Sequence, residues 1–261
     1  MFSKLGLQMY TVRDHIGDDV SLDRAFERMA EIGYTEAQTA GRESAEYAKI
    51  AKKHGITIVG THYSYNEIIN NIDATIKLHE ALGTTNVGIG AMPYDARSDV
   101  EKFYLFVEDF NKAAEIYAKH GYKLTYHNHA FEFVEFKPGV SRMSYMYDNF
   151  DKKNVSFVLD TFWVAKAGGD VREWMEKLAG RIDILHLKDL KVVYKNDNGW
   201  DTDHRYCEIG TGNLCWQGIL DTAAAIGVKN YVVEQDGAWI DGDPFKSIEV
   251  SRKYLDKFMK N

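Results

Sequence analysis

The chain has 261 residues, of which 45 % are hydrophobic and 27 % are charged, as is ordinary for a globular protein. Its formal net charge of −7 argues against a nucleic-acid partner, and its two cysteines are too few for a disulfide scaffold. No apolar run is long enough to span a bilayer, and the N-terminus lacks the pattern of a secretion signal. We therefore expect a cytoplasmic protein with neither nucleic-acid nor membrane partners.

Short runs of β-branched and aromatic residues alternate with longer segments whose apolar residues recur every three or four positions. These are the patterns of strands and of helices. The first half predicts strands over residues 5–9, 35–38, 56–61 and 86–89. It predicts helices over residues 22–32, 44–54, 68–82 and 100–119. Gly33, Gly55 and Gly83 stand just past three of these helices, where glycine commonly ends a helix.

The second half repeats this alternation. Strands are predicted over residues 123–128, 155–159, 182–187 and 231–234, and helices over residues 171–178, 216–226 and 245–258. A looser segment is expected after the first of these strands, as far as Phe150. Eight strands in alternation with helical or looser segments predict one α/β domain over residues 1–261, a single (β/α)8 TIM barrel, with a doubly wound open sheet as the alternative. Residues 192–206 form the longest aperiodic stretch after a strand, and we expect a long binding loop there.

Three strand-like runs in the second half end at residues that can bind a divalent metal: Asp160, His186 and Glu234. Taken singly, Asp160 could cap a helix and His186 could pack in the core. A carboxylate such as Glu234, which closes an apolar run, is rarely buried without a partner. The carboxyl ends of barrel strands meet at one face, so together these residues favour a metal site there.

The run from Leu124 to Phe133 offers a fourth contribution, from His127, His129 or Glu132. His127 and His129 share a face if the strand continues through both. A ligand set of carboxylates and imidazole without thiolate suits Mn, Mg, Co or a catalytic Zn. Such an ion stabilises an enediolate while a nearby carboxylate or histidine moves the proton.

Four further residues are candidates for substrate binding: His62, Trp163, Lys188 and Glu208. His62 follows the third strand and Lys188 follows the seventh. Glu208 precedes a glycine-rich turn, and Trp163 could supply a platform for a sugar ring. Core packing is the alternative for His62 and Trp163, and simple solvation is the alternative for Lys188.

The motifs GLQMYTVRD, YHNHAFEF, VLDTFW, LHLKD, IGTGNLCW and VVEQD occur in that order along the chain. This succession resembles the xylose isomerase-like TIM barrel superfamily, which includes sugar phosphate isomerases and epimerases, related dehydratases and family 2 AP endonucleases. In its ketose 3-epimerase branch a divalent metal is held by glutamate, aspartate, histidine and glutamate at the ends of the fifth to eighth strands.

The resemblance implies that Asp160, His186 and Glu234 are three of these ligands. At the fourth position the chain departs from the epimerase pattern, because it has His127-Asn128-His129 where epimerases have a glutamate followed by an Asn-His-like pair. Either His127 or Glu132 completes the site. We favour Glu132, since three carboxylates neutralise a divalent ion better than two.

The resemblance implies a metal-dependent sugar or sugar phosphate isomerase or epimerase that removes a proton next to a carbonyl through a metal-stabilised enediolate. Glu234 with His127 or His129 would move the proton. Inosose dehydratases also carry histidines in this segment, so a keto-sugar or keto-cyclitol dehydratase is the alternative. A DNA-repair endonuclease is disfavoured by the acidic charge. We expect a small-molecule carbohydrate substrate; its identity, the metal, and whether the chain forms a homo-oligomer stay open.

Overall fold

The computed structural model describes residues 2–260. Its centre is a barrel of eight parallel strands: β1 (Gly6–Gln8), β2 (Glu36–Ala40), β3 (Thr57–His62), β4 (Asn86–Ile89), β5 (Lys123–His127), β6 (Val155–Asp160), β7 (Ile182–Leu187) and β8 (Asn230–Val233). The hydrogen-bonded order is β3-β2-β1-β8-β7-β6-β5-β4. This arrangement confirms the predicted (β/α)8 TIM barrel.

Eleven α-helices lie among the described residues: α1 (Asp19–Ile32), α2 (Ala45–Lys53), α3 (Tyr65–Asn70), α4 (Ile72–Leu82), α5 (Tyr94–Ser98), α6 (Val100–Lys119), α7 (Arg142–Asn149), α8 (Thr161–Lys166), α9 (Val171–Lys177), α10 (Trp216–Ala225) and α11 (Pro244–Leu255). Local sequence sets their ends. Asp18 caps α1 by accepting a hydrogen bond from the backbone N–H of Ser21 at 2.7 Å. Gly33 ends the helix with φ of 101°, a left-handed conformation that glycine adopts readily.

Three predicted segments differ from the structure. The helix expected over residues 68–82 is two helices, because Asn71 leaves helical geometry with φ of −128° and ψ of 53°. The segment between β5 and β6 contains a short hairpin and α7. The long loop expected over residues 192–206 is wrong: residues Asp189–Tyr194 and Thr202–Cys207 pair as an antiparallel hairpin.

The seam between β3 and β4 closes the barrel without a regular ladder. The Tyr63 N–H donates to the Gly88 carbonyl at 2.7 Å, and the Gly88 N–H donates to the Thr61 hydroxyl at 3.3 Å. A Cβ atom on Gly88 would lie 2.3 Å from the Thr61 carbonyl oxygen and 2.6 Å from the Thr125 hydroxyl. This close approach requires glycine.

The inner face of the barrel positions the site. A small apolar cluster of Val59, Val158, Ile184 and Val232 fills part of the interior. Since alternate strand residues share a face, the residues two positions after the last three also point inward. These residues are Asp160, His186 and Glu234, so the strand period places all three directly above the apolar layer.

Candidate metal centre

Four side chains converge at the carboxyl ends of β5 to β8: His127, Asp160, His186 and Glu234. Each offers one ligand atom, and these atoms all lie within 4.8 Å of one another. None of the four residues is more than 4 % exposed. The structure thus brings together the three residues predicted from strand ends and adds His127 as the fourth.

His186 lies between a neutral and an acidic partner. Its Nε2 lies 2.5 Å from Oε1 of Gln38 on β2, and its Nδ1 lies 3.0 Å from Oε2 of Glu234 and 3.8 Å from Oδ2 of Asp160. Burial alone would lower the pKa of this ring, but the two carboxylates outweigh burial and raise the pKa to about 9. Without a metal, a proton therefore supplies the positive charge on the Nδ1 side.

Both ring nitrogens of His127 face hydrogen-bond acceptors, so a neutral ring can donate to only one of them. Its Nδ1 lies 3.0 Å from the Gly90 carbonyl oxygen and its Nε2 lies 3.3 Å from Oδ2 of Asp160, and both oxygens are acceptors. Burial lowers the pKa of His127 despite the contact with Asp160, so the ring is neutral and has a single N–H. A cation between Nε2 and the carboxylates would satisfy the contact that lacks a proton.

The donor set fits a divalent metal. Both rings turn one nitrogen to a carbonyl-type oxygen and the other to the carboxylates, which is how metal-binding histidines are commonly oriented. Two imidazoles and two carboxylates without thiolate match the ligand preferences of Mn, Mg, Co or catalytic Zn. These four side chains could together hold such an ion.

Lys188 balances the acidic groups. Its ammonium is buried and lies 2.7 Å from Oδ2 of Asp236, 3.1 Å from Oε2 of Glu234 and 3.6 Å from Oδ2 of Asp160. Burial would lower the pKa of Lys188, but the three carboxylates raise it, so the ammonium stays charged. Burial would likewise raise the pKa of Asp160, but Lys188 and the histidines lower this pKa to about 2.

Glu132 does not lie among the four converging side chains, contrary to the preference stated for it. Its Oε1 accepts a hydrogen bond from the Tyr126 hydroxyl at 2.6 Å, and its Oε2 accepts one from the His129 backbone N–H at 2.8 Å. The physical reason is that β5 ends at His127 and the chain turns into a 3-10 segment at Phe131–Phe133. The turn directs Glu132 toward Tyr126, which faces away from the barrel interior.

A cavity of about 470 Å³ opens above the centre, and its lining includes Tyr10, His62, His127, His129, Lys188, Glu234 and Asp236. Two of the predicted substrate-binding residues, His62 and Lys188, are therefore on its wall. Burial and the neighbouring His127 and His186 rings lower the pKa of His62 well below its usual value, so that ring is neutral. A larger cavity of about 770 Å³ at the amino ends of β4 to β8 contains none of these residues.

The other two predicted substrate residues lie further away. The Trp163 ring is 5.1 Å from the His129 ring and 5.1 Å from the Lys188 ammonium, at the edge of the site. Glu208 does not line the cavity: its Oε1 accepts hydrogen bonds from Ser247 Oγ at 2.7 Å and Gln235 Nε2 at 3.3 Å. Glu208 is held by Gln235 after β8 and by Ser247 on α11, so the structure does not bring it to the cavity wall.

Sequence reasoning missed Gln38 and Asp236. Gln38 is the last residue of a predicted strand, so the same strand-end argument applies to it. Asp236 stands two residues after Glu234, in the VVEQD motif. A neutral amide and an aspartate in a loop do not stand out in a search for metal ligands, although Gln38 contacts His186 and Asp236 contacts Lys188.

Comparison with known proteins gives the family. The sequence pattern described as a xylose isomerase-like TIM barrel matches residues 24–255. The chain belongs to this family. Within the described residues, no helix is both long and apolar enough to cross a membrane.

Relatives of this xylose isomerase-like barrel carry two kinds of name. An inosose dehydratase from Mesomycoplasma hyopneumoniae strain J is 25 % identical over 244 residues, covering 83 % of this chain and 76 % of that protein. An inosose dehydratase from Salmonella agona is 26 % identical over 175 residues, covering 63 % and 56 %. The solved structure of a sugar phosphate isomerase/epimerase from Parabacteroides distasonis has a TM-score of 0.76 at 26 % identity, covering 100 % and 96 %.

Proposed function

We propose that the chain is a metal-dependent lyase that removes water from a keto-sugar or keto-cyclitol, starting with proton abstraction next to the carbonyl. The observation that carries this proposal is the position of His127. It occupies the end of β5, and both its ring nitrogens face oxygen acceptors. The centre therefore contains one glutamate, Glu234, and lacks the pair of opposed glutamates by which the resembled epimerases move protons on two faces.

The pocket offers a separate base on one side. His129 lines the cavity with its ring centroid 4.7 Å from that of His127, and its Nδ1 is buried, so the Nε2 edge is left for the substrate. His129 would accept the proton from the carbon next to the carbonyl. It would then return that proton to the departing hydroxyl, so that hydrogen and hydroxyl leave as one water molecule and a carbon–carbon double bond forms.

Other residues would hold the substrate. The Lys188 ammonium faces the same cavity and can donate to a substrate oxygen. Apart from histidines, it is the one cationic side chain among the described residues that line the cavity, and carboxylates already surround it. This balance favours an unphosphorylated substrate. A bound divalent ion would polarise the substrate carbonyl and stabilise the negative charge that develops beside it.

The test is an assay of the purified protein, supplied in turn with Mn, Mg, Co and Zn salts, on a 2-keto-inositol and on simple keto-sugars. Loss of one water from the substrate, followed by mass spectrometry and by ultraviolet absorbance of the enone, is the expected result. His129→Asn should lower the rate by about 10²–10⁴, whereas His120→Asn, a change at an exposed residue after α6, should not. Absence of elimination from every compound with every metal contradicts the lyase proposal.

An isomerase or epimerase is the second candidate. It is favoured by the Parabacteroides distasonis structure, which matches this chain over its full length, and by the presence of Glu234 and His129 on one cavity wall. Such an enzyme would exchange deuterium from heavy water into recovered substrate or product without losing water. That outcome would replace the lyase proposal with the isomerase named from the sequence.

A further inference from the structure

Glu132 is a fully buried carboxylate that the centre does not use. Its two hydrogen bonds, from the Tyr126 hydroxyl and the His129 backbone N–H, leave acceptor capacity on Oε1. The His129 ring lies close to this oxygen, with its Nδ1 3.9 Å from Oε1. That Nδ1 is buried and has no hydrogen-bond partner.

The His129 ring is held by aromatic neighbours. It stacks on Phe131 with centroids 5.5 Å apart and an interplanar angle of 16°, and it lies 5.1 Å from the Trp163 ring. These contacts restrict the plane of the ring but do not decide which nitrogen carries the proton. A base that works through Nε2 needs its proton on Nδ1, and the acceptor that can select this tautomer is Glu132.

We propose that Glu132 is a positioning residue that fixes His129 as the Nδ1–H tautomer and directs the Nε2 lone pair into the cavity. The ring needs to move by about 1 Å for Nδ1–H to donate to Oε1, because such hydrogen bonds span about 2.9 Å. Hydrogen bonds of this kind are often long before substrate binds. The role of His129 as base rests on the proposed function, but the effect of Glu132 on its tautomer does not.

Glu132→Gln is the informative change. The amide nearly keeps the shape of the carboxylate but can present an N–H₂ donor to Nδ1, which would favour the wrong tautomer. Tyr126→Phe is the matched control, since it removes the other side-chain partner of Glu132 and leaves the carboxylate beside His129. Both variants lose a buried hydrogen bond, so a merely structural role would affect them alike.

Nitrogen–proton correlation spectra of the histidine rings, with His129 assigned by His129→Asn, give a readout that needs neither metal nor substrate. We expect the Nδ1–H tautomer at His129 in the unaltered protein and in Tyr126→Phe, and the Nε2–H tautomer in Glu132→Gln. On a substrate that the enzyme accepts, Glu132→Gln should lower kcat by about 10²–10⁴ with little change in KM. Tyr126→Phe should stay within about threefold, far below the loss expected for a base in the wrong tautomer.

Two results would overturn the proposal. One is a His129 tautomer that is the same with glutamate and with glutamine at position 132. The other is a large loss of Mn²⁺ affinity in Glu132→Gln, which would make Glu132 a metal ligand. A tautomer switch in a protein that acts on no keto-sugar or keto-cyclitol would instead leave the positioning role standing and contradict the proposed function.

Discussion

The two halves of the barrel end in different chemistry. At the carboxyl end of the first half stand the uncharged groups of Gln8, Gln38, His62 and Gly90, whereas the second half ends in the residues that would bind the ion: His127, Asp160, His186 and Glu234. Two contacts from the first half orient the histidine rings of the second half. Gln38 Oε1 faces His186 Nε2, and the Gly90 carbonyl faces His127 Nδ1.

The two halves therefore contribute differently to the centre: one supplies the charged groups and the other orients the histidine rings. The second half concentrates carboxylates and rings in one buried place, and the first half sets which nitrogen of each ring faces them. Gln38 is itself held by Gln8, whose Nε2 donates to Gln38 Oε1 at 2.9 Å. We therefore expect changes in the second half to abolish binding of the ion and changes in the first half to weaken it.

The largest effect should follow from Asp160→Asn, because its Oδ2 lies 3.3 Å from His127 Nε2 and 3.8 Å from His186 Nδ1. Calorimetric titration with Mn²⁺ should show a loss of affinity beyond the roughly 10–100-fold that outer partners cause. Asp183→Asn, at the amino end of β7, is the control and should bind as the unaltered protein does. Unchanged affinity in Asp160→Asn would remove this residue from the centre.

Lys188→Met should come next, since it leaves three carboxylates without their buried cation. Breaking a buried ion pair typically costs about 3–5 kcal/mol, and we expect a loss of that order in the free energy of unfolding of the metal-free protein. Denaturant titration measures it, and excess Mn²⁺ should restore part of the loss.

The control for Lys188→Met is Lys123→Met. Lys123 pairs with Asp183 at 3.3 Å where solvent reaches both, so its loss should cost less than about 1 kcal/mol. Equal losses in the two variants would mean that Lys188 does not balance the centre.

Gln38→Met should have a smaller effect on metal binding. It removes the hydrogen-bond acceptor for His186 Nε2 but none of the four side chains that would bind the ion. We expect Mn²⁺ affinity to fall about 10–100-fold. Gln217→Met, on the outer helix α10, serves as the comparison and should change nothing. A loss in Gln38→Met as large as that of Asp160→Asn would contradict the division between the two halves.

Strand periodicity made much of this arrangement predictable. Asp160, His186 and Glu234 each end an apolar run, and a barrel brings such ends together whatever the loops do. The choice between His127 and Glu132 depended on where β5 ends. His127 is the last residue of β5 and points inward, whereas Glu132 lies in the 3-10 turn that follows, and the sequence pattern did not indicate that turn.

The hairpin after β7 was unpredictable for another reason. Residues Thr202–Tyr206 are exposed or half-buried on both faces, so the alternation of polar and apolar residues that marks a half-buried strand is missing. The contact of Gln38 with His186 could not be predicted either, because the sequence does not show which side chain an amide faces across the barrel.

The seam between β3 and β4 has a consequence for the motions of the barrel. Side-chain bonds replace part of the ladder there, including one from Asn86 Nδ2 to the Val59 carbonyl at 2.9 Å. Local opening is easiest where few backbone hydrogen bonds must break, so amide hydrogen exchange in the barrel wall should be fastest along this seam. Gly90, whose carbonyl faces His127, follows β4 directly. The seam that opens most easily therefore lies next to one of the two contacts that orient the histidine rings.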